Sequence, residues 1–183
     1  MKSIYILLLL LTTTLFAGYG YNTASVDIYD IDTGFYYKSI SKKQKKSGFI
    51  ISKASDYQIS NINIYNPKTN KSRMIFKTHN QNIIDFLFEM KYYKKSISFN
   101  QAYGHIKNNN NIEKRTPKDK LLIATYNKDT KETTLWSCNK DGENLKIITI
   151  VKDKFNWHID VKNSKIMVIY SRNEQFQVKI FDW

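Results

Sequence analysis

The segment Cys138-Asn139-Lys140-Asp141-Gly142 begins 73 positions after the start of Tyr65-Asn66-Pro67-Lys68, and the flanks of the two segments correspond without a gap. In those flanks, Phe49-Ile50-Ile51 corresponds to Leu122-Ile123-Ala124. Each copy reads as an apolar strand, a polar turn, a second strand, a tight turn and a third strand. A repeat of this length predicts supersecondary units that stack on one another, because one unit alone cannot bury its apolar face.

Short strand-like segments separated by turn residues occupy most of the chain, which predicts an all-β protein. The segment from Asn82 to Tyr93 fits either a short helical turn or a strand, and its counterpart in the repeat, Phe155 to Val161, alternates and therefore favours the strand. The other predicted strands are 26–31, 35–37, 48–53, 60–65, 72–77, 96–99, 121–126, 133–138, 145–151, 165–171 and 175–181. Their spacing is typical of a sandwich, a barrel or a propeller.

The first 20 residues have the pattern of a signal peptide. Lys2 precedes an apolar run from Ile4 to Phe16, and Ala17-Gly18-Tyr19-Gly20 supplies small residues for cleavage. The run is shorter than the roughly 20 residues that span a bilayer, and no cysteine follows it to carry a lipid. We therefore expect residues 21–183 to form a single domain that is periplasmic or secreted, with an insertion near 101–120 that is too polar to contribute to the core.

The chain carries a formal net charge of +13, and its one dense basic run lies in a predicted loop. The run consists of Lys42, Lys43, Lys45 and Lys46. These lysines are candidate partner-binding residues, and the charge predicts an acidic protein partner. The same charge is compatible with peripheral contact with anionic lipid. A nucleic-acid partner is not expected, because the chain is predicted to be exported and has no motif of a nucleic-acid-binding module.

The segment from Thr134 to Thr149, with its Asp141-Gly142 turn, resembles the blade repeat of TolB-type β-propellers, and Trp157 stands where that family has an aromatic residue opening the next strand. The resemblance covers residues 121–183 well and 26–100 loosely. Val161-Lys162-Asn163-Ser164 replaces the family's usual Pro-Asp-Gly turn. The resemblance implies propeller-like antiparallel repeats, about four blades in a small or incomplete propeller, and a role in protein binding rather than catalysis.

No constellation of residues suited to catalysis, metal binding or cofactor binding is visible, so we expect no enzymatic activity and no cofactor. The histidines are isolated in sequence: His79, His105 and His158. Asp27, Asp30 and Asp32 lack the later glutamate of a calcium loop, and turn chemistry explains them. The single cysteine, Cys138, is expected to be a small buried residue on a strand.

Together these features predict an exported, soluble, non-catalytic binding protein that acts on a protein partner in the cell envelope. Two alternatives remain open. A periplasmic immunity protein that neutralises a toxin belongs to the same binding class. A small outer-membrane β-barrel is the other alternative, because Trp183 ends a segment in which Phe176, Val178 and Ile180 alternate with polar residues.

Overall fold

The computed structural model describes residues 27–43, 57–91, 97–100, 115–152, 155–172 and 175–183. Every regular element in these ranges is a β-strand, and the twelve strands form three antiparallel sheets. The all-β prediction is therefore confirmed. The predicted signal peptide, the predicted strand at 48–53 and most of the polar insertion lie outside the described residues.

Sheet 1 is a four-stranded meander in which the strands follow chain order. Its strands are β1 (Ile28–Tyr29), β2 (Tyr36–Lys43), β3 (Tyr57–Asn66) and β4 (Lys71–Met74). A β-bulge between Ile40 and Ser41 shifts the β2–β3 register by one residue. The β3–β4 turn ends at Asn70, whose φ of 52° is one that asparagine tolerates better than most residues.

Sheet 2 has five strands in the order β6-β5-β7-β8-β9. The strands are β5 (Ile83–Lys91), β6 (Ile97–Phe99), β7 (Leu121–Asn127), β8 (Glu132–Cys138) and β9 (Lys146–Lys152). The ambiguous segment from Asn82 onward is thus a strand, as the repeat favoured. Extended structure prevails because consecutive apolar residues of β5 point to opposite faces of the sheet, and both faces are covered.

Sheet 3 has three strands in the order β10-β11-β12. The strands are β10 (Asn156–Asp160), β11 (Lys165–Arg172) and β12 (Gln175–Asp182). The β11–β12 hairpin predicted from sequence is confirmed, with a register that runs without a shift from Lys165 opposite Asp182 to Arg172 opposite Gln175. Among the described residues, β12 has a paired strand on one side only.

Sheet 2 lies between sheets 1 and 3, and one apolar core fills each junction. Tyr37 and Ile64 of sheet 1 pack with Phe88 and Ile123 of sheet 2 in the first core. In the second core, Ile159, Ile166 and Val168 of sheet 3 pack with Leu87, Leu122 and Leu135 of sheet 2. Each fully buried side chain of this size contributes about 1.5–3 kcal/mol. The three sheets therefore form one cohesive stack.

The 73-residue repeat maps onto corresponding hairpins. β3 and β4 surround the turn at Pro67, and β8 and β9 surround the turn at Gly142. Each hairpin is followed by the strand that opens the next sheet, β5 in one copy and β10 in the other. The second turn also packs on the first copy, because a Cβ added at Gly142 would lie 3.1 Å from Cδ1 of Ile64.

No helix among the described residues is long and apolar enough to cross a membrane.

Candidate functional site

The structure does not gather the four candidate lysines into one described surface. Lys42 and Lys43 were predicted to lie in a loop, and that prediction is wrong, because β2 continues through both of them. After the bulge, Lys42 pairs with Gln58 and Lys43 with Tyr57, so ladder hydrogen bonds hold this end of the strand. Lys42 is exposed, while Lys45 and Lys46 lie outside the described residues.

The histidines are also apart from one another where they are described: His79 is exposed in the β4–β5 connection, and His158 is half-buried on β10. His105 lies outside the described residues. Within the described ranges, no group of three or more His, Cys, Asp or Glu side chains could hold a metal ion.

A largely buried cluster of four charged side chains and one tryptophan joins all three sheets, and we call Asp30, Glu89, Arg115, Lys140 and Trp183 the junction cluster. Asp30, in the turn after β1, has no solvent exposure, and its Oδ2 accepts a hydrogen bond from Lys140 Nζ at 2.9 Å. Lys140, in the turn after β8, is 1% exposed. This ion pair links sheet 1 to sheet 2 across 110 positions of sequence.

Further contacts fix Lys140 from several sides. Its Nζ also donates to the backbone oxygen of Glu89 at 2.6 Å and lies 5.2 Å from the centre of the Phe88 ring. Its backbone N donates to Asp119 Oδ1 at 2.9 Å, and its backbone O accepts from the Tyr37 hydroxyl at 3.0 Å. Burial raises the pKa of Tyr37, so the phenol stays a neutral donor.

Glu89 forms the second half of the junction cluster. Its fully buried carboxylate accepts two hydrogen bonds from the Arg115 guanidinium, at 2.6 and 2.7 Å. The Lys118 backbone N and the Trp183 indole donate to the same carboxylate, at 2.8 and 2.6 Å. Burial by itself would raise the pKa of Glu89, but these donors and the Arg115 charge outweigh it and hold the pKa below its usual value.

Trp183 connects sheet 3 to the cluster. It is 3% exposed, its backbone N donates to Ser164 O at 2.8 Å, and its backbone O accepts from Lys118 Nζ. Arg115 and Lys118 belong to the C-terminal end of the predicted polar insertion, which was expected to contribute nothing to the core. That expectation is wrong for these residues, because they neutralise and hydrogen-bond a carboxylate that the core has buried.

The buried polar atoms of the junction cluster all have hydrogen-bond partners. Among the described residues, no buried side-chain nitrogen or oxygen lacks a hydrogen-bond partner. A carboxylate and an ammonium that are already paired in this way stabilise one arrangement of the sheets instead of offering a free acid or base. Asp30 does keep the predicted turn chemistry, because it accepts from Asp32 N at 3.2 Å and from Thr33 Oγ1 at 2.8 Å.

Cys138 is the last residue of β8 and is buried, as predicted. Burial, reinforced by the nearby Asp141 and Asp119 carboxylates, raises the pKa of the Cys138 thiol to about 12. The thiol is therefore protonated at neutral pH and a poor nucleophile.

A polar groove of about 400 Å³ lies between sheets 1 and 2, at the end of β7 opposite the junction cluster. Its floor is formed by Thr125, Thr134 and Trp136. Trp136 donates its indole N–H to Thr125 Oγ1 at 2.9 Å and packs edge-to-face on Phe76, with ring centres 5.4 Å apart. The rims come from the start of β3, from the β4–β5 connection and from the β7–β8 turn.

Side-chain amides dominate the groove rims. Five amide residues line the groove: Gln58, Asn80, Gln81, Asn82 and Asn127. Tyr126, Lys128 and Asp129 complete the lining. Two hydrogen bonds hold the rims together: the Gln58 side chain donates through Nε2 to Gln81 O at 2.7 Å, and Tyr126 N donates to Asn82 O at 2.9 Å.

The outer face of sheet 3 is the other unusual surface. Phe176, Val178 and Ile180 of β12 share one face and are 73%, 40% and 58% exposed. Opposite them on β11 lie Ser171, Ile169 and Met167. We call this surface, together with the edge of β12 that pairs with no strand among the described residues, the open face.

Comparisons of the chain with protein-family models, with curated proteins and with solved structures find no match.

Proposed function

We propose that this chain is an exported, non-catalytic protein of propeller-like β repeats that binds an acidic protein partner in the cell envelope through the open face of sheet 3. The observation that carries the proposal is the third sheet itself. Sheet 1 is a four-strand meander, and β5, β7, β8 and β9 form a second one, whereas sheet 3 has three strands among the described residues, with β12 paired on one side only.

The edge of β12 that is unpaired in the described part of the chain is suited to accept a strand. An edge strand presents a row of unpaired backbone donors and acceptors, and natural proteins usually shorten or cover such edges. β12 is eight residues long, and the buried Trp183 anchors its C-terminal end through Glu89. A partner strand that pairs with β12 would find its template already ordered, which lowers the entropic cost of association.

The side chains beside that edge suit a protein partner. Large exposed apolar side chains in one row are typical of interaction sites, because single exposed apolar residues are common but contiguous ones are not. Phe176, Val178 and Ile180 occupy alternate positions of β12, so a strand added to its edge would place its own alternate apolar side chains beside them. The net charge of +13 favours an acidic partner through long-range attraction.

The blade interpretation and the location rest on the sequence. The turn around Gly142 and the aromatic Trp157 resemble the TolB-type blade, and sheets that stack face to face are compatible with neighbouring blades. Residues 1–20 have the pattern of a cleaved leader, which supports the periplasm or the exterior as the place of binding.

The proposal is tested by capture from an envelope extract of the producing cells, followed by titration of the purified partner. The double variant Phe176→Ser/Ile180→Ser should weaken binding of that partner at least tenfold, because two apolar anchors are truncated. Ile84→Ser is the matched control, since Ile84 is a 56% exposed isoleucine on β5 of sheet 2. Its affinity should equal that of the wild type.

Three results would overturn the proposal: equal retention by the double variant, an equal loss in the Ile84→Ser control, or a wild-type chain that is dimeric and becomes monomeric in the double variant. The third would show that a second copy of the chain covers the open face.

A salt titration checks the electrostatic part of the proposal. The affinity should fall as salt rises, and replacing Lys42, Lys43, Lys45 and Lys46 with glutamine should flatten that slope if these lysines contribute.

A further inference from the structure

We infer that the polar groove between sheets 1 and 2 is a binding site for a neutral carbohydrate, a short oligosaccharide held by side-chain amides over Trp136. This inference is independent of the proposed protein partner, because the groove and the open face use different sheets and share no residue. The argument rests on the chemistry of the lining, its charge and its position in the stack.

The first argument is the kind of hydrogen-bonding groups in the groove. A side-chain amide offers two N–H donors and a carbonyl acceptor within about 2–3 Å of one another. A sugar ring presents the matching pattern, since each hydroxyl both donates and accepts. Gln58, Asn80, Gln81, Asn82 and Asn127 all line one groove, together with the hydroxyl-bearing Thr134 and Tyr126. Gln58 Nε2 already donates to Gln81 O and Asn127 Oδ1 already accepts from Asp129 N, so the inference relies on the other amide groups of these residues.

The second argument is the charge of the lining. The described residues that line the groove include one cation, Lys128, and one anion, Asp129, so the net charge of the lining is zero. The chain as a whole carries +13. A site selected for a phosphate, a sulfate or a carboxylate would be expected to concentrate that excess of cations, and this groove does not. The lining therefore favours an uncharged ligand that is rich in hydroxyl groups.

The third argument is the aromatic floor. The indole N–H of Trp136 is already bonded to Thr125 Oγ1, and the edge-to-face contact with Phe76 fixes the ring. A fixed aromatic ring provides the apolar surface on which the C–H face of a pyranose packs, while its position costs no further ordering on binding. The volume of about 400 Å³ lies within the range of small-ligand sites, about 300–1,000 Å³, and suits one to three sugar rings.

The groove is also preorganised on both sides. The hydrogen bonds from Gln58 to Gln81 and from Tyr126 to Asn82 tie the rims to β3 and β7, which are core strands of two different sheets. Most small-ligand pockets are largely apolar with a few polar groups. The reversed proportion in this groove is what a ligand covered with hydroxyls requires.

The test is a calorimetric titration of the full mature chain with chitotriose, cellotriose and maltotriose, with oligogalacturonate as an anionic probe. We expect saturable binding of at least one neutral trisaccharide with a Kd at or below about 1 mM. Asn80→Ala and Trp136→Leu should each raise that Kd about fivefold or more, because each removes a contact to the ligand. The control is Asn63→Ala, which removes an amide on β3 that does not line the groove.

Asn80 is exposed, so its replacement should leave folding intact even if Trp136→Leu loosens the Phe76 contact. Three results would overturn the inference. The first is that no neutral trisaccharide binds, and the second is that the Asn80 variant binds as tightly as the Asn63 control. The third is that oligogalacturonate alone binds, with an affinity that falls steeply as the salt concentration rises. The last result would assign sugar binding to the basic surface instead of the groove.

Discussion

Replacing Lys140 with methionine tests whether the Asp30–Lys140 pair holds sheets 1 and 2 together. The change keeps most of the apolar stem and removes the ammonium. Asp30 would then be a fully buried carboxylate whose donors among the described residues are Asp32 N and Thr33 Oγ1, and Glu89 O would lose its 2.6 Å partner. Breaking one side of a buried ion pair costs about 3–5 kcal/mol, because the remaining charge is left without compensation.

That loss is large compared with the 5–15 kcal/mol by which a typical domain is stable. For a chain of this size, each kcal/mol lowers the Tm by about 2–4 °C. Lys140→Met should therefore lower the Tm by roughly 6–20 °C at neutral pH. Thermal unfolding followed by far-UV circular dichroism measures the shift, and urea unfolding at 25 °C gives the free energy directly.

The matched control is Glu143→Gln. Arg73 and Glu143 also join sheet 1 to the turn after β8, at 2.8 Å, but both side chains are about half exposed. An exposed pair of this kind contributes about 0–1 kcal/mol. The double variant Asp30→Asn/Lys140→Met should lose less stability than the sum of its two single changes, because it leaves no unpaired charge. If Lys140→Met costs no more than Glu143→Gln, the reasoning on burial is refuted.

Two further predictions concern the same region of the stack. The Glu89 pKa is lowered in the folded chain, so the unfolded chain binds more protons as the pH falls below the ordinary value of 4.5. The stability that this carboxylate confers is therefore complete above 4.5 and is lost as the pH falls through the folded pKa. Urea midpoints measured from pH 6 to pH 3 should fall less steeply in Glu89→Gln than in the wild type, and parallel curves would contradict this. Gly142→Ala should destabilise the chain by about 1–2 kcal/mol from its left-handed φ, plus a packing cost. The loss should exceed that of Gly34→Ala, because the two φ values are nearly equal (84° and 81°) but the added Cβ lies 3.1 Å from Ile64 at Gly142 and 3.9 Å from Pro67 at Gly34. Equal losses in chemical denaturation would show that the contact with Ile64 carries no cost.

The strands were largely predictable from the sequence because their ends carry strong local chemistry. Gly34, Pro67, Asn70 and Gly142 mark turns, and the segments between them alternate or are continuously apolar. Less predictable was the partition into three sheets. β6 pairs with β5, the strand before it, but β7 then pairs with the other side of β5 instead of with β6, and no local pattern distinguishes that choice from continuation of the meander.

The junction cluster was not predicted, although one of its members carried a signal. Glu89 directly follows the apolar run Phe86-Leu87-Phe88, and a carboxylate in that position is expected to need a buried cation. Lys140 carried no signal, since a lysine in a polar turn is ordinarily solvated. Its burial results from the packing of the turn on sheet 1, which is a property of the tertiary structure.

The position of Trp183 connects the fold to both proposed sites. Its indole donates to Glu89 in sheet 2 while its backbone N is bonded to Ser164 in sheet 3, so the end of β12 is tied to the middle sheet. Sheet 2 in turn supplies the floor of the groove through Thr125, Thr134 and Trp136. The charged residues that hold the sheets together occupy one end of the stack, and their saturation leaves that end with little to offer a ligand. We therefore propose two binding places: the opposite end, where polar connections surround a fixed indole, and the edge of β12 that is unpaired among the described residues.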